Sequence, residues 1–144
     1  NFARHNPDTT YTGFLPKENV MNHLKRCKAL IFPSTWYEGF PMTIIEAFST
    51  GTPVIASNLG GMKEIVQNGV NGLHFEAGDE NDLAAKIIEL NEKDDLLKRM
   101  SGNARLTYLN YYTPSKNYNQ LMGVYEKVLE KYEQPSEVLL PHKG

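Results

Sequence analysis

Glu46 is a carboxylate in an unusual setting, and a second carboxylate, Glu38, precedes it with seven residues between them. Glu46 lies inside an otherwise apolar run, residues 44–48. A carboxylate near apolar walls is costly unless hydrogen-bond donors satisfy it. The setting of Glu46 therefore predicts that its carboxylate binds the hydroxyls of a ligand. The competing interpretation is that Glu46 is an ordinary surface charge on a short helix.

The backbone just before Glu46 offers a second chemical group, the N–H donors of a helix start. The apolar run at 29–32 predicts a buried strand. Pro41 suits the first helical position, because it lacks an N–H and its φ is already helical. The N–H groups of residues 42–44 then have no intrahelical acceptor, and the helix dipole adds partial positive charge. This arrangement predicts a phosphate site, although many such helix starts bind only water.

The stretch Glu38-Gly39-Phe40-Pro41, together with Glu46, resembles the E-x7-E motif of retaining GT-B glycosyltransferases. The chain is similar to glycosyltransferase family 4, also called glycosyl transferases group 1. The motif alone is weak, but an ordered set of family-like pieces is specific, and it spans about residues 10–80. Those pieces are residues 11–15, 33–34, 51–57, 60–61 with 64–66, and 68–69 with 72–73.

The resemblance implies transfer of a sugar from a nucleoside-diphosphate sugar to an acceptor, with retention at the anomeric carbon and without a metal. The donor substrate would be a UDP-, GDP- or ADP-sugar, and no cofactor is implied. Glu38 is the expected catalytic residue, with a positioning role at least as well supported as a nucleophilic one. Glu46 would accept hydrogen bonds from the ribose hydroxyls. The other expected donor contacts are Phe14, Leu15, Gly39, Phe40, Pro41, Met42 and Thr43.

Two other enzyme or binding classes stay open: a nucleotide-sugar-binding module without catalysis, and a GT-B sugar-phosphate synthase or phosphorylase. A flavodoxin-like signalling domain is rejected. It would need acidic residues at the strand ends, where this chain has Pro33-Ser34 and Ser57-Asn58.

Composition excludes several partners. The chain has 144 residues, enough for one domain with a core, and a formal net charge of -2, which gives no electrostatic footprint for nucleic acid. No apolar run approaches the roughly 20 residues that span a bilayer. The single cysteine, Cys27, excludes an internal disulfide, and its helical spacing from Val20 and Leu24 predicts a buried thiol. The four histidines are scattered, so no metal site is predicted.

The elements that must position these groups alternate between strands and helices, which predicts an α/β, Rossmann-like parallel sheet with flanking helices. The ligand would then lie beyond the carboxyl ends of the strands, where Leu15, residues 34–40 and residues 57–61 are expected to converge. Gly60-Gly61 predicts either a plain tight turn or one that faces an anion. The predicted strands are 9–15, 29–33, 54–56 and 72–75. The predicted helices are 17–27, 41–50, 62–66, 80–92, 94–106 and one that opens at 113–114. In the helix 80–92, Leu83, Ile87 and Leu90 are expected to face inward.

The resemblance also implies that the chain, which starts at Asn1 without an initiator methionine, is part of a longer enzyme. Residues 1–132 would be the C-terminal donor-binding half of a GT-B fold without its first two strands, and 133–144 a flexible tail. We expect the segment 9–15 to pair directly with the next strand, or another chain to fill the gap. The absent N-terminal domain would bind a glycan or lipid acceptor, so the fragment alone would be inactive. The expected localisation is cytoplasmic, with peripheral membrane association as an alternative for the full-length protein.

Overall fold

A three-stranded parallel sheet organises the first part of the chain. The computed structural model describes residues 6–133, and the chain divides into two compact units, 1–109 and 110–144. The strands, all in the first unit, pair in the order β1-β2-β3, and β2 is buried along its whole length. This confirms the predicted α/β class. The strands are β1 (Leu30–Phe32), β2 (Val54–Ser57) and β3 (Gly72–Phe75).

The helices form close to where the sequence predicts them. Asp79 caps α4, since its side chain accepts from the backbone N–H groups of Asn81 and Asp82. Gly51, with φ 76°, follows α2 and ends that helix. The helices are α1 (Lys17–Arg26), α2 (Met42–Ser49), α3 (Gly60–Ile65), α4 (Glu80–Glu92), α5 (Asp94–Thr107), a π-helical turn (Tyr108–Tyr112) and α6 (Pro114–Glu133).

One hydrophobic cluster of the first unit lies between β2, β3, α4 and α5, and α2 and α3 supply further buried side chains. The buried members of the cluster join these two strands to α4 and α5. Because helices pack against the sheet at β2, the side chains of this central strand are buried along its whole length, as its short apolar sequence predicts. The cluster comprises Ile55, Leu73, Phe75, Leu90 and Met100.

The predicted strand at 9–15 is wrong. Those residues are exposed or half-buried and belong to no strand. Gly13 has φ 63°, a left-handed conformation that interrupts an extended run. A β-rich sequence forms a strand only when a neighbour satisfies its backbone, and among residues 6–133 β1 pairs with β2 alone. Direct pairing of 9–15 with β1 is therefore also wrong, while completion of the sheet by another chain stays a prediction.

Two predictions of buried side chains are wrong as well. Cys27 is exposed, because α1 ends at Arg26 and Cys27 is its C-cap with an extended backbone (φ -83°, ψ 153°). The helical spacing that predicts burial therefore stops one residue earlier. The Cys27 Sγ donates to the Leu24 carbonyl at 3.3 Å, and partial burial raises the pKa of the thiol. Ile87 of α4 is 37% exposed and lines an open groove with Ile31 and Leu90.

The second unit contains α6. Pro114 occupies its first position, as predicted, and the Thr113 Oγ1 accepts from the Lys116 N–H at 3.4 Å. Seven apolar residues that recur at three- and four-residue spacing form a stripe along α6, and all of them are exposed. The predicted tail, 133–144, lies outside the described residues except for Glu133. The stripe consists of Tyr118, Leu121, Met122, Tyr125, Val128, Leu129 and Tyr132.

Candidate functional site

The start of α2 lies just beyond the carboxyl end of β1. Pro41 is the N-cap residue of α2, with φ -75° and ψ 95°. The sequence predicts it at the first helical position, so the helix begins one residue later than predicted. The Pro41 side chain makes no hydrogen bond to the helix. Of the first three helical N–H groups, only that of Ile44 has a local acceptor, the Pro41 carbonyl at 3.0 Å. The N–H groups of Met42 and Thr43 have no acceptor within the helix. They are donors suited to an anion.

Glu38 lies in the loop before α2 and is half-buried. Its Oε1 accepts from the Ser34 hydroxyl at 3.3 Å, and the Ser34 Oγ also lies 3.3 Å from the Trp36 N–H. The loop is therefore closed by side chains of its own. This closure places a carboxylate at the carboxyl end of β1, while Trp36 and Tyr37 remain exposed.

The loops that follow β1 and β2 touch each other. The Gly61 N–H donates to the Glu38 carbonyl at 2.9 Å. A Cβ atom on Gly61 would lie 2.5 Å from the Gly39 carbonyl oxygen, closer than such atoms approach. Gly60 has φ 52°, which favours glycine. The convergence predicted for this edge is confirmed where residues 38–39 meet Gly61. Gly60-Gly61, predicted as a turn, instead form the first two positions of α3, and the Glu38 loop rests on them.

Glu46 forms an ion pair with a lysine from another helix. The Lys17 Nζ of α1 lies 3.4 Å from the Glu46 Oε1, and the two side chains are 78% and 25% exposed. The carboxylate in the apolar run thus has a cationic partner. Lys17 carries no sequence signal for this contact, because a lysine at a helix start is disfavoured by the helix dipole. Only the approach of α1 to α2 brings the two charges together.

The other predicted donor contacts do not all line the same cavity. Leu15 and Thr43 line one open cavity of about 480 Å³, together with residues of α1 and β1. The Phe14 side chain is fully exposed, at 100%, so the segment before α1 holds it away from this cavity wall. Phe40 and Met42 are exposed, whereas Pro41 is buried.

One buried hydroxyl near this edge has no partner. Ser57 ends β2, shortly before Gly60-Gly61 at the start of α3, and its Oγ is buried without a hydrogen bond within the described structure. An unsatisfied buried polar atom is unusual and calls for a physical role. The sequence predicts Ser57 at a strand end of this edge but gives no sign that its hydroxyl is buried.

Neither a metal cluster nor a membrane helix is found in the part of the chain that the structure describes. No group of three or more His, Cys, Asp or Glu side chains within residues 6–133 could hold a metal ion. None of the helices in that range is long and apolar enough to cross a membrane.

A parallel sheet flanked by helices is also the fold of GT-B glycosyltransferase domains, the class to which the chain's structural neighbours belong. The model of the family "Glycosyl transferases group 1" matches residues 3–107. The chain belongs to this family.

Curated relatives in the family include enzymes of known and unknown substrate. The chain is 39% identical over 88 residues to the uncharacterized glycosyltransferase MJ1178 of Methanocaldococcus jannaschii, covering 61% of this chain and 25% of the relative. It is 31% identical over 109 residues to the UDP-Gal:alpha-D-GlcNAc-diphosphoundecaprenol alpha-1,3-galactosyltransferase of Escherichia coli, covering 76% of this chain and 28% of the relative.

Solved structures share the fold. Anabaena Alr3699/HepE in complex with UDP and glucose matches with a TM-score of 0.78 and 25% identity, over 84% of this chain and 32% of that one. Sucrose-phosphate synthase from Thermosynechococcus elongatus matches with a TM-score of 0.78 and 26% identity, over 85% of this chain and 31% of that one. The chain spans about a third or less of the length of these relatives.

Proposed function

We propose that the first unit of this chain binds the nucleoside-diphosphate sugar in a retaining, metal-independent glycosyltransferase of family 4. The observation that carries this proposal is the pairing of two groups on α2: uncapped N–H donors at its start and a half-buried carboxylate one turn further on. A nucleoside diphosphate has the matching chemistry, a charged diphosphate next to a ribose with two hydroxyls. The complexes of Alr3699/HepE with UDP support the same ligand class.

Each part of the donor has a proposed partner. The N–H groups of Met42 and Thr43, with the Thr43 hydroxyl, bind the diphosphate. Glu46 accepts hydrogen bonds from the ribose hydroxyls, and Leu15, with Phe14 beside it, lies near the base. Gly39, Phe40 and Pro41 present backbone to the sugar, since a residue without Cβ lets the backbone approach a ligand closely.

Glu38 is the residue proposed to act at the sugar. Its carboxylate is already oriented by Ser34 and by the contact of its backbone with Gly61. In the reaction the bond between the anomeric carbon and the phosphate oxygen breaks, and the nucleoside diphosphate leaves with the electron pair. The acceptor oxygen bonds to the same face of the sugar, and the acceptor's hydroxyl proton passes to an oxygen of the leaving diphosphate. The helix start stabilises the charge that develops on the leaving phosphate, and Glu38 positions the sugar for this step.

The donor site can be tested by calorimetric titration with UDP, GDP, ADP and their common sugar conjugates in EDTA. We expect one base series to bind, with affinity unchanged when Mg²⁺ replaces EDTA. Replacing Glu46 with Gln should weaken that binding about tenfold, because a charged acceptor for the ribose hydroxyls is lost. Glu64→Gln, an exposed glutamate of α3, is the matched control. A folded chain that binds none of these nucleotides would overturn the proposal.

The chain spans about a third or less of the length of the relatives that it matches. We propose that a glycan or lipid acceptor binds outside residues 6–133, in a longer cytoplasmic protein or one held at a membrane surface. A sugar-phosphate synthase is the second candidate, favoured by the likeness to sucrose-phosphate synthase. Product analysis of the longer protein with donor and a sugar-phosphate acceptor separates the two functions, and donor binding without any transfer would instead favour a non-catalytic module.

A further inference from the structure

The ion pair between Lys17 and Glu46 is unlike the other two salt bridges within residues 6–133. Those two join residues four apart in sequence, Lys86 with Asp82 within α4 and Lys93, directly after α4, with Glu89. This pair instead joins α1 to α2 and includes a proposed ribose acceptor. Exposed pairs within a helix contribute little. A long-range pair at a ligand-binding carboxylate has a direct consequence for binding, because the ribose hydroxyls and the ammonium compete for the same oxygens.

Lys17 is held loosely and can change partner. Its side chain is 78% exposed, while Glu46 is 25% exposed, so the lysine moves more freely than the carboxylate. It is the first residue of α1, and its ammonium has no salt bridge other than the one to Glu46 among the described residues. A lysine ammonium is a compact charge on a flexible stem with three donors, which suits a phosphate as well as a carboxylate.

The start of α2 is within reach of this ammonium. Glu46 is four residues beyond Met42, and an α-helix rises about 1.5 Å per residue, so the carboxylate and the first N–H groups lie about 6 Å apart along the axis. The Lys17 Nζ already lies 3.4 Å from Glu46. Rotation of an exposed lysine side chain covers a distance of this size without movement of either helix.

We propose that Lys17 is a diphosphate-binding residue that pairs with Glu46 in the free protein and turns to the donor's phosphates when the ribose hydroxyls occupy the carboxylate. This inference rests on the proposed function of the α2 site. It supplies that site with a cation, which the helix start alone lacks. It also keeps the half-buried carboxylate neutralised when no ligand is bound, so that Glu46 is oriented before the donor arrives.

The test is a phosphate ladder. Binding of uridine, UMP and UDP is measured on the unmodified chain and on Lys17→Gln, by calorimetry for UDP and by ligand-observed NMR for the weaker ligands. If the calorimetric titration of the donor site selects guanine or adenine, the corresponding nucleoside, monophosphate and diphosphate replace the uridine series. We expect Lys17→Gln to weaken UDP binding about five- to tenfold, because one charge-assisted contact is lost at an exposed site. Uridine binding should stay the same or tighten, since it has no phosphate and Glu46 is freed.

Lys25→Gln is the control for net charge. Lys25 is an exposed residue of the same helix with no salt bridge among the described residues, and its replacement should leave the whole ladder unchanged. Equal losses for uridine and UDP in Lys17→Gln, no change in either, or tighter UDP binding would each overturn the role of Lys17. If the unmodified chain binds no nucleotide, or Glu46→Gln has no effect, the proposed function itself fails and this inference fails with it.

Discussion

Gly61 illustrates how a single residue can control the candidate site without contacting a ligand. Its missing side chain leaves room for the backbone of residues 38–39, and its N–H binds the Glu38 carbonyl. The Glu38 carboxylate is therefore oriented from two sides, by Ser34 through its side chain and by Gly61 through its backbone.

We expect Gly61→Ala to destabilise the protein by about 1–3 kcal/mol, because the new Cβ would lie 2.5 Å from a backbone oxygen that cannot move aside cheaply. Donor binding should weaken as well, since the Glu38 loop must shift. Urea denaturation and donor titration measure the two effects. Gly102→Ala is the control: nothing lies within 4 Å of its Cβ position in α5, so this change should stabilise the helix slightly. Equal stability of the two variants would contradict the account.

His74 is the residue whose protonation the fold opposes. Burial, and to a smaller extent Lys63, lower its pKa, against nearby backbone carbonyls that raise it, and its Nε2 is buried without a partner within residues 6–133. The unfolded chain therefore takes up a proton at a higher pH than the folded chain does.

Stability should consequently be full above the unfolded pKa of about 6.5 and should fall as the pH drops through that value towards the lowered folded pKa. Urea denaturation between pH 8 and pH 5 measures this dependence. His74→Gln should flatten the curve over that interval, whereas His23→Gln, at an exposed position of α1, should leave it unchanged. A His74→Gln curve as steep as that of the unmodified chain would show that another group is responsible.

At the scale of the elements, local signals located most helices and all three observed strands to within a residue or two. The helix α4 begins after Asp79, as its cap predicts, and α6 begins at Pro114. The strands β2 and β3 follow from short apolar runs between turn residues. Segment 9–15 has a similar strand-like composition and forms no strand, because composition does not supply a pairing partner.

The contribution of the α4 N-cap to stability can be measured against α5, which has no side-chain cap. Asp79→Ala should cost about 1 kcal/mol of unfolding free energy, because two backbone N–H groups lose their acceptor. Asp94→Ala, in the first turn of α5, should cost less, about 0.5 kcal/mol, since Asp94 provides only a charge near the helix dipole. Chemical denaturation of both variants gives the comparison, and a larger loss for Asp94→Ala would contradict it.

At the scale of the whole molecule, the chain holds one edge of a sheet at which two loops and a helix start meet. It spans about a third or less of the relatives it matches. The groups proposed here bind the donor, and nothing in residues 6–133 is proposed to bind the acceptor.

We therefore expect the 144-residue chain to bind a nucleoside diphosphate but to transfer no sugar on its own. Incubation with the donor selected by titration, followed by chromatography of the products, measures this. The longer protein proposed above is the positive control with the same donor and acceptor. Transfer by the chain alone would show that the acceptor site lies within it.

The sequence by itself determined the family, the α/β class and the position of the helix start, because ordered motifs, apolar runs and caps act over a few residues. It also singled out Glu46 as a carboxylate in need of a partner. Only the tertiary structure decided what that partner is. Lys17 meets Glu46, Gly61 meets Glu38, and segment 9–15 stays outside the sheet, because each outcome depends on which distant elements come to lie side by side.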